Sequence, residues 1–498
     1  MALGTGCGWV RWLRVAQREH YLPGAVTRFA VRWWTSSRGS IALGALGVAA
    51  AIGAIGLWPL AAVTGAVGVV GPLGLTLRGR TSALAWTRRL RTLAATSAAV
   101  LVALGVGAAF TPAPFAVAAA IVVVCDLVVD VAVWVLAPVE VRLAGPWVRR
   151  ARRRLQQVRP RVVAITGSYG KTSTKHHLAE LLSGSMSVVP TPRSFNNRAG
   201  LAMAINDQLA DGTKVFIAEM GTYGVGEIRE ICTWCPPDVA VLTAIGPVHL
   251  ERFGTIERIV EAKAEVTERA RVVVCNADDE RLAALAESLR AQGRDVRTAG
   301  SDRADVDARV AVAGERWHVA LGGEPLLVIS PIPGIQPTNL ASALAAAVAL
   351  GAEPAALAAR LPHVAPVPNR LTVASAPSGV LVVDDTYNAN PAGAGAALEL
   401  LRSLPIDGRR VVVTPGMVEL GSRQQTENEA FAGAAARFAS AVVVVGRTNE
   451  AALRRGATQG GAAVVRVASH ERAVEWVRGS LTHGDAVLYE NDLPDHYP

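Results

Sequence analysis

Only five cysteines, Cys7, Cys125, Cys232, Cys235 and Cys275, occur in 498 residues, and their spacing gives no framework of the kind that staples small secreted domains. The chain therefore reads as one made for a reducing compartment. Cys232 and Cys235 form a lone C-x-x-C with no second ligand pair at zinc spacing, so two cysteines on an ordinary helix is the expectation. No zinc-finger or RNP pattern accompanies the net charge of +9, which argues against nucleic acid as a partner. A basic start followed by a short apolar core and a small-residue cleavage site is also lacking, which excludes an ordinary cleaved signal peptide. Most telling, no charged residue occurs between Ser40 and Leu77.

Apolar residues are what the chain has in excess. They make up 51% of it, mean hydropathy is +0.31, and the surplus is concentrated before residue 145. Residues 1–38 interleave Arg11, Arg14, Arg18, Arg28, Arg32 and Arg38 with Trp9, Trp12, Trp33 and Trp34, a pattern suited to a membrane surface. Trp58-Pro59 divides the uncharged run into two stretches of roughly 18 to 20 residues, long enough to cross a bilayer. A second pair flanks the turn Pro112-Ala-Pro114. Four spans are expected, at residues 40–57, 60–77, 92–110 and 115–136, within an all-α membrane domain over 1–145.

Charge supports that count. The N-terminal arginines, the loop with Arg78, Arg80, Arg88, Arg89 and Arg91, and the run Arg149, Arg150, Arg152, Arg153 and Arg154 would share one side, while both tight turns opposite are uncharged. By the positive-inside rule this is a multi-pass protein of the cell membrane, with membrane lipids as partners and the remainder of the chain in the cytoplasm. Asp126 and Asp130, four apart on the fourth span, should face the bundle interior, a partner or a water pocket and bind a headgroup or a partner's cation, or else lie near the cytoplasmic end or pair within the bundle.

After a basic linker over 146–160 the pattern becomes that of an α/β protein, and length allows about three domains in all. Val162–Thr174 reads VVAITGSYGKTST: a buried strand, a glycine turn and the start of a helix. Gly167, Ser168 and Gly170 let backbone N–H groups close on a polyphosphate. Lys171 adds positive charge, and Thr172 and Ser173 bring hydroxyls, Thr172 being placed for Mg²⁺. A second apolar strand ends in Glu219, a carboxylate where such a site needs an oxygen ligand. Further on, Asp385 ends another strand, suited to ribose hydroxyls.

The shortened G-x-x-G-K-T loop resembles that of the Mur ligases, especially their MurF branch. So do T-P-x-x-F-N-N at 191–197, E-M-G at 219–221, H-L-E at 249–251, A-K at 262–263 and D-D-x-Y-N-A-N-P at 384–391. The resemblance covers roughly residues 160–498. It implies a P-loop ATPase middle domain over 161–365 and a Rossmann-like C-terminal domain over 366–498. It also implies ATP with two Mg²⁺ ions, His249 at a metal, and Lys263 carbamylated to give an anionic ligand. Phe195, Asn196 and Asn197 would approach the acceptor, Asn339 the adenine, Arg370 and Asp385 the nucleotide, and Asn388 and Asn390 the acceptor or the reacting carboxylate. The implied activity is ATP-dependent amide formation through an acyl phosphate. The partners are a carboxylate-bearing envelope precursor, with a lipid-linked one as one form, and an amino acid or a dipeptide such as D-Ala-D-Ala.

The pattern is broken in places. Thr338 and Ser342 stand where the family carries a histidine and a second asparagine, Asn369 replaces a glycine, and Tyr489-Glu490-Asn491 lies where MurF proteins carry lysine-glycine-serine. No counterpart of the UDP-sugar domain precedes the ATPase. A poly-γ-glutamate-type synthase and a non-ligating ATP-binding scaffold or transport component therefore stand as alternative readings.

Overall fold

The computed structural model describes every residue except 78–83, 194, 368–369, 388–389 and 495, so Arg78, Arg80, Asn369 and Asn388 lie outside the described residues. The chain forms two compact units: Met1–Ala144 with Gly446–Thr448 and Leu493–Pro498, and Gly145–Val445 with Asn449–Asp492.

The first unit is helical: α1 (Ala2–Arg18), α2 (Ala25–Thr35), α3 (Arg38–Gly53), α4 (Leu60–Val70), α5 (Arg88–Ala108), α6 (Pro114–Val123) and the start of α7 (Cys125–Val158). The four expected spans are corrected here. Among the described residues only α5 is long and apolar enough to cross a membrane, or two spans if α6 and α7, bent by 65°, count as one. The runs expected to cross at 40–57 and 60–77 hold helices of only 16 and 11 residues. Glycines and prolines interrupt them, with α4 ending at Gly71 before Pro72. The last carbonyls of α4 are taken up by the buried Arg11, which donates to Val69 O at 2.7 Å and Gly71 O at 2.9 Å. Asp130 faces inward, accepting from Gly24 N at 2.8 Å and Thr27 N at 3.0 Å, and so caps α2.

Residues 493–498, expected in the C-terminal domain, belong to this first unit instead. Trp33 Nε1 donates to His496 O at 2.8 Å, His496 pairs with Glu19 at 2.8 Å, and Tyr497 meets Phe29 edge-on at 4.9 Å.

The second unit begins within α7. The expected linker is helical through Val158 because Val148, Ala151 and Leu155, spaced as one helix face, pack into the core of this unit while Arg149, Arg150, Arg152 and Arg153 stay exposed. Beyond it come β1 (Arg161–Thr166), α8 (Lys171–Leu182), β2 (Val188–Pro190), α9 (Arg198–Gln208), β3 (Val215–Glu219), α10 (Glu227–Trp234), β4 (Val239–Leu242), α11 (Leu250–Phe253), α12 (Ile256–Ala264), β5 (Val272–Asn276), α13 (Glu280–Ala291), β6 (Asp295–Gly300), β7 (Ala308–Ala313), β8 (Arg316–Leu321), β9 (Glu324–Ile329) and α14 (Pro337–Ala349). The strands form one sheet in the order β2-β3-β1-β4-β5-β6-β7-β8-β9. It is parallel from β2 to β7, and its last pairings are antiparallel.

β1 is buried from Val162 to Thr166, as a strand covered on both faces must be, which is why it reads as an unbroken apolar run. It lies between β3 and β4, so the loops leaving these strands diverge and open a crevice at their carboxyl ends. Cys232 and Cys235, on α10 and at its end, are buried in the same core. Burial raises both thiols, Cys232 to about 12, so they are packing groups.

A second sheet of six strands follows, in the order β10-β11-β15-β12-β13-β14. These are β10 (Thr372–Ser375), β11 (Leu381–Asp385), β12 (Arg410–Thr414), β13 (Ala441–Val445), β14 (Ala463–Val467) and β15 (Ala486–Glu490). All pairs but β10/β11 are parallel, and Asp385 stands beside Glu490 at the carboxyl ends of β11 and β15.

Candidate active site

The turn between β1 and α8 can only be built with glycine at two points. Gly167 and Gly170 have φ of +154° and +84°, and an added Cβ would collide with Thr243 Oγ1 at the first and with Asn339 Oδ1 at the second. Ser168 fastens the turn as well as lining the cleft: its Oγ accepts from Gly246 N at 2.9 Å and donates to Gly246 O at 3.1 Å. Lys171 folds back on the turn, donating to Gly167 O at 2.7 Å and Ser168 O at 3.2 Å. Burial lowers its ammonium to about 8, against Glu219, which raises it, and with Arg370, which lowers it further. Lys263 reaches the same turn, donating to Gly167 O at 3.0 Å. Burial, then Lys171, pushes it well below the usual lysine range.

Glu219 closes the far wall. Thr172 Oγ1 and Lys175 Nζ each donate to its Oε2 at 3.0 Å, and Asn196 Nδ2 lies 3.5 Å from Oε1. Burial would raise this carboxyl, but Lys175 and Lys171 outweigh it and hold it ionised. A hydroxyl beside a carboxylate oxygen is a hard-donor pair that fits Mg²⁺ and leaves its remaining positions to phosphate and water. Among the described residues no three His, Cys, Asp or Glu side chains form a metal-holding group on their own.

Two adjoining clefts share Tyr169, Gly170, Arg370 and Asn390. One, of about 420 Å³, is also lined by Ser173, Gln336, Asn339, Leu371 and Asp385. The other, of about 590 Å³, is lined by Lys171, Thr172, Asn196, Glu219 and Tyr387. The structure thus gathers the phosphate loop, Glu219, Asn339, Arg370 and Asp385, which lie far apart in the sequence. Asp385 is buried and accepts from Leu371 N at 3.1 Å. Arg370 lies over the Tyr387 ring at 5.5 Å. Asn390 caps the following helix through Gly393 N at 2.9 Å while lining both clefts.

Other expected residues make structural contacts. His249 borders the site through its charge field, since Lys263 and Lys171 act on it, while its Nδ1 contacts Glu419, whose other oxygen accepts from Arg252 at 2.6 Å. His249 is lowered by burial despite Glu419, and Glu419 is pulled to about 2 because His249 and Arg252 overcome its burial. Asn197 caps α9 through Gly200 N at 2.9 Å, and Phe195 packs against the core. Both hold the loop in shape, and neither is among the residues lining these two clefts.

The residues missed in the sequence include Tyr169, Glu419 and Lys175. A signal for the last was present: the chain has only four lysines, Lys171, Lys175, Lys214 and Lys263, and three of them converge here. Glu419 carried none, because its contact with His249 is made only when the two sheets fold together.

Known proteins share this arrangement. A family model described as Mur ligase middle domain matches residues 165–350, and one described as Mur ligase, glutamate ligase domain matches 369–489. The UDP-N-acetylmuramoyl-tripeptide–D-alanyl-D-alanine ligase of Mycobacterium tuberculosis (strain ATCC 25618 / H37Rv) is 32% identical over 356 residues, 66% of this chain and 69% of that protein. The Escherichia coli (strain K12) enzyme of the same name is 31% identical over 288 residues, 56% of this chain and 61% of its own. Among solved structures, the MurF ligase of Thermotoga maritima in complex with ADP matches with a TM-score of 0.57 and 28% identity, over 70% of this chain and 80% of that one. The chain belongs to the Mur ligase family, on its MurF-like side, and is an ATP-dependent carbon–nitrogen ligase.

Proposed function

We propose that the chain is a membrane-anchored MurF-type ligase that joins D-Ala-D-Ala, or a similar amine, to the carboxylate of a cell-envelope precursor in the cytoplasm. The observation that carries the ligase part is the meeting of Lys171, Thr172 and Glu219 with Arg370 and Asn390 around one cleft. Anchoring is supported by the first unit, where Ile52, Ile55, Leu57, Trp58, Phe110 and Trp134 are all more than 60% exposed. With α5 and the bent α6–α7 pair as spans, it needs fewer crossings than the sequence led us to expect.

A carboxylate oxygen of the precursor bonds to the γ-phosphorus as the bridging bond to the β-phosphate breaks, giving an acyl phosphate and ADP. The amine then bonds to the acyl carbon, phosphate leaves, and the amine's proton passes to solvent. Lys171 and the backbone N–H groups of its loop hold the charge that gathers on the phosphates, Arg370 adds a second cation, and Asp385 takes the ribose. Mg²⁺, held by Thr172 and Glu219, supplies further charge neutralisation when bound. Burial, then Lys171, weakens the Lys263 ammonium and so favours the amine that adds CO₂, and as a carbamate it would offer an oxygen ligand to a second ion.

The test is to supply the protein in lipid with ATP, D-Ala-D-Ala and either UDP-MurNAc-tripeptide or a lipid-linked carboxylate precursor, and to weigh the products. One dipeptide added per ADP formed is expected, and Lys171→Ala should lower the rate by roughly 10²–10³-fold. A ladder of repeated additions would point instead to a poly-γ-glutamate-type synthase. ATP turnover with no new amide would point to a scaffold.

A further inference from the structure

We propose that Lys175 is a positioning residue: it fastens the stretch carrying Arg193 and Asn196 to Glu219, so that Asn196, which lines the cleft and on the ligase reading faces the acceptor, is held in register with the phosphate-transfer centre. The acceptor part rests on the ligase reading above; the fastening does not.

Lys175 sits one helical turn beyond Lys171 on α8, and its side chain is completely buried. An ammonium in such a place is tolerated only with partners. It has two: Glu219 Oε2 at 3.0 Å and the carbonyl oxygen of Arg193 at 2.5 Å. The first joins α8 to the end of β3. The second joins both to the loop.

Arg193 has φ of +48°, a backbone conformation that a bulky side chain rarely adopts, so something must hold it there. A charge-assisted bond to its carbonyl does so. Just downstream, Asn196 O accepts from Gly221 N at 2.7 Å, and its side chain faces Glu219 and lines the cleft. Glu219 N in turn receives its hydrogen-bond partner from the loop, Thr191 Oγ1, at 3.2 Å. The carboxylate that meets Thr172 is thereby tied to the loop by Lys175, Asn196 and Thr191 together.

Lysine rather than arginine is apt here. Its compact ammonium directs donors at two oxygens from within a packed core, where a planar guanidinium needs more room. In a chain that otherwise uses arginine almost throughout, a buried lysine at this point is a marked choice.

Amide hydrogen exchange on the full-length protein without any substrate tests the fastening. Lys175→Met should lower protection of the amides around Arg193 and Asn196 about tenfold or more, the scale of one charge-assisted hydrogen bond, while β1 and β4 keep theirs. Because that variant leaves a buried carboxylate without its cation, Lys175→Met/Glu219→Gln is the companion: it removes both charges, and the loop should still be loose because Arg193 O still lacks its donor. Wild-type protection of the loop in the double variant would overturn the proposal, as would an equal loss across the whole sheet.

The acceptor part is read by kinetics with whichever precursor gives product. Lys175→Met should raise the acceptor KM about tenfold and leave the ATP KM within about threefold. Equal rises in both would overturn it. If the wild-type protein forms no amide with any precursor, the ligase reading fails while the exchange result still decides the fastening.

Discussion

Burial lowers the Lys171 ammonium to about 8, although it donates to two carbonyl oxygens of the turn. Polyphosphate favours the charged form, so nucleotide binding near pH 8.5 must take up a proton, whereas near pH 6.5 the group is already protonated and takes up none. Titrating ADP calorimetrically near pH 8.5 in two buffers of different ionisation enthalpy should show a buffer-dependent heat that reports proton uptake, and Lys171→Met should abolish it. Glu490 is the acidic counterpart. Burial, then the charge of Asp385, raises it to about 8, although Thr414 Oγ1 donates to it at 2.8 Å. The unfolded carboxyl loses its proton near pH 4.3 and the folded one near 8, so stability is lost as pH rises between them. Glu490→Gln should match the wild type near pH 4 in denaturant unfolding and exceed it by about 4–5 kcal/mol near pH 8. A parallel pH dependence in the two proteins would refute this.

Among elements, α7 shows what a reading of charge alone overlooks. Its arginine run looks like a solvated linker, yet Val148, Ala151 and Leu155 recur on one face and bury against the second unit's core. Leu155→Ala should cost about 2–4 kcal/mol of that unit's stability, while Arg152→Ala should stay within about 0.5 kcal/mol, both measured by denaturant titration. The strands were legible because central parallel strands must be apolar throughout, and the phosphate turn because only glycine permits its backbone. The helices over 40–77 were misjudged because hydropathy counts apolar residues without asking where glycine and proline break the helix. Glu219 and Asp385 could be placed because each ends such a strand. The Glu419 contact with His249 could not, since it depends on how the two sheets pack.

For the molecule as a whole, the exposed apolar surface is concentrated before residue 148, and the nucleotide cleft lies in the second unit. Residues 493–498 are part of the first unit, packed among Glu19, Phe29 and Trp33. Deleting them should speed proteolysis within α2 in lipid-embedded protein and leave cleavage of β1–β4 unchanged. An unchanged pattern in α2 would show that the tail adds nothing to that unit. The packing also orders events on the ribosome. The segment that seats His496 beside Glu19 is translated only after the second unit has been synthesised, so the helices made first wait longest for this contact. A nascent chain halted before that point exposes Phe29 and Trp33, and so presents an unfinished apolar surface that quality-control factors can recognise.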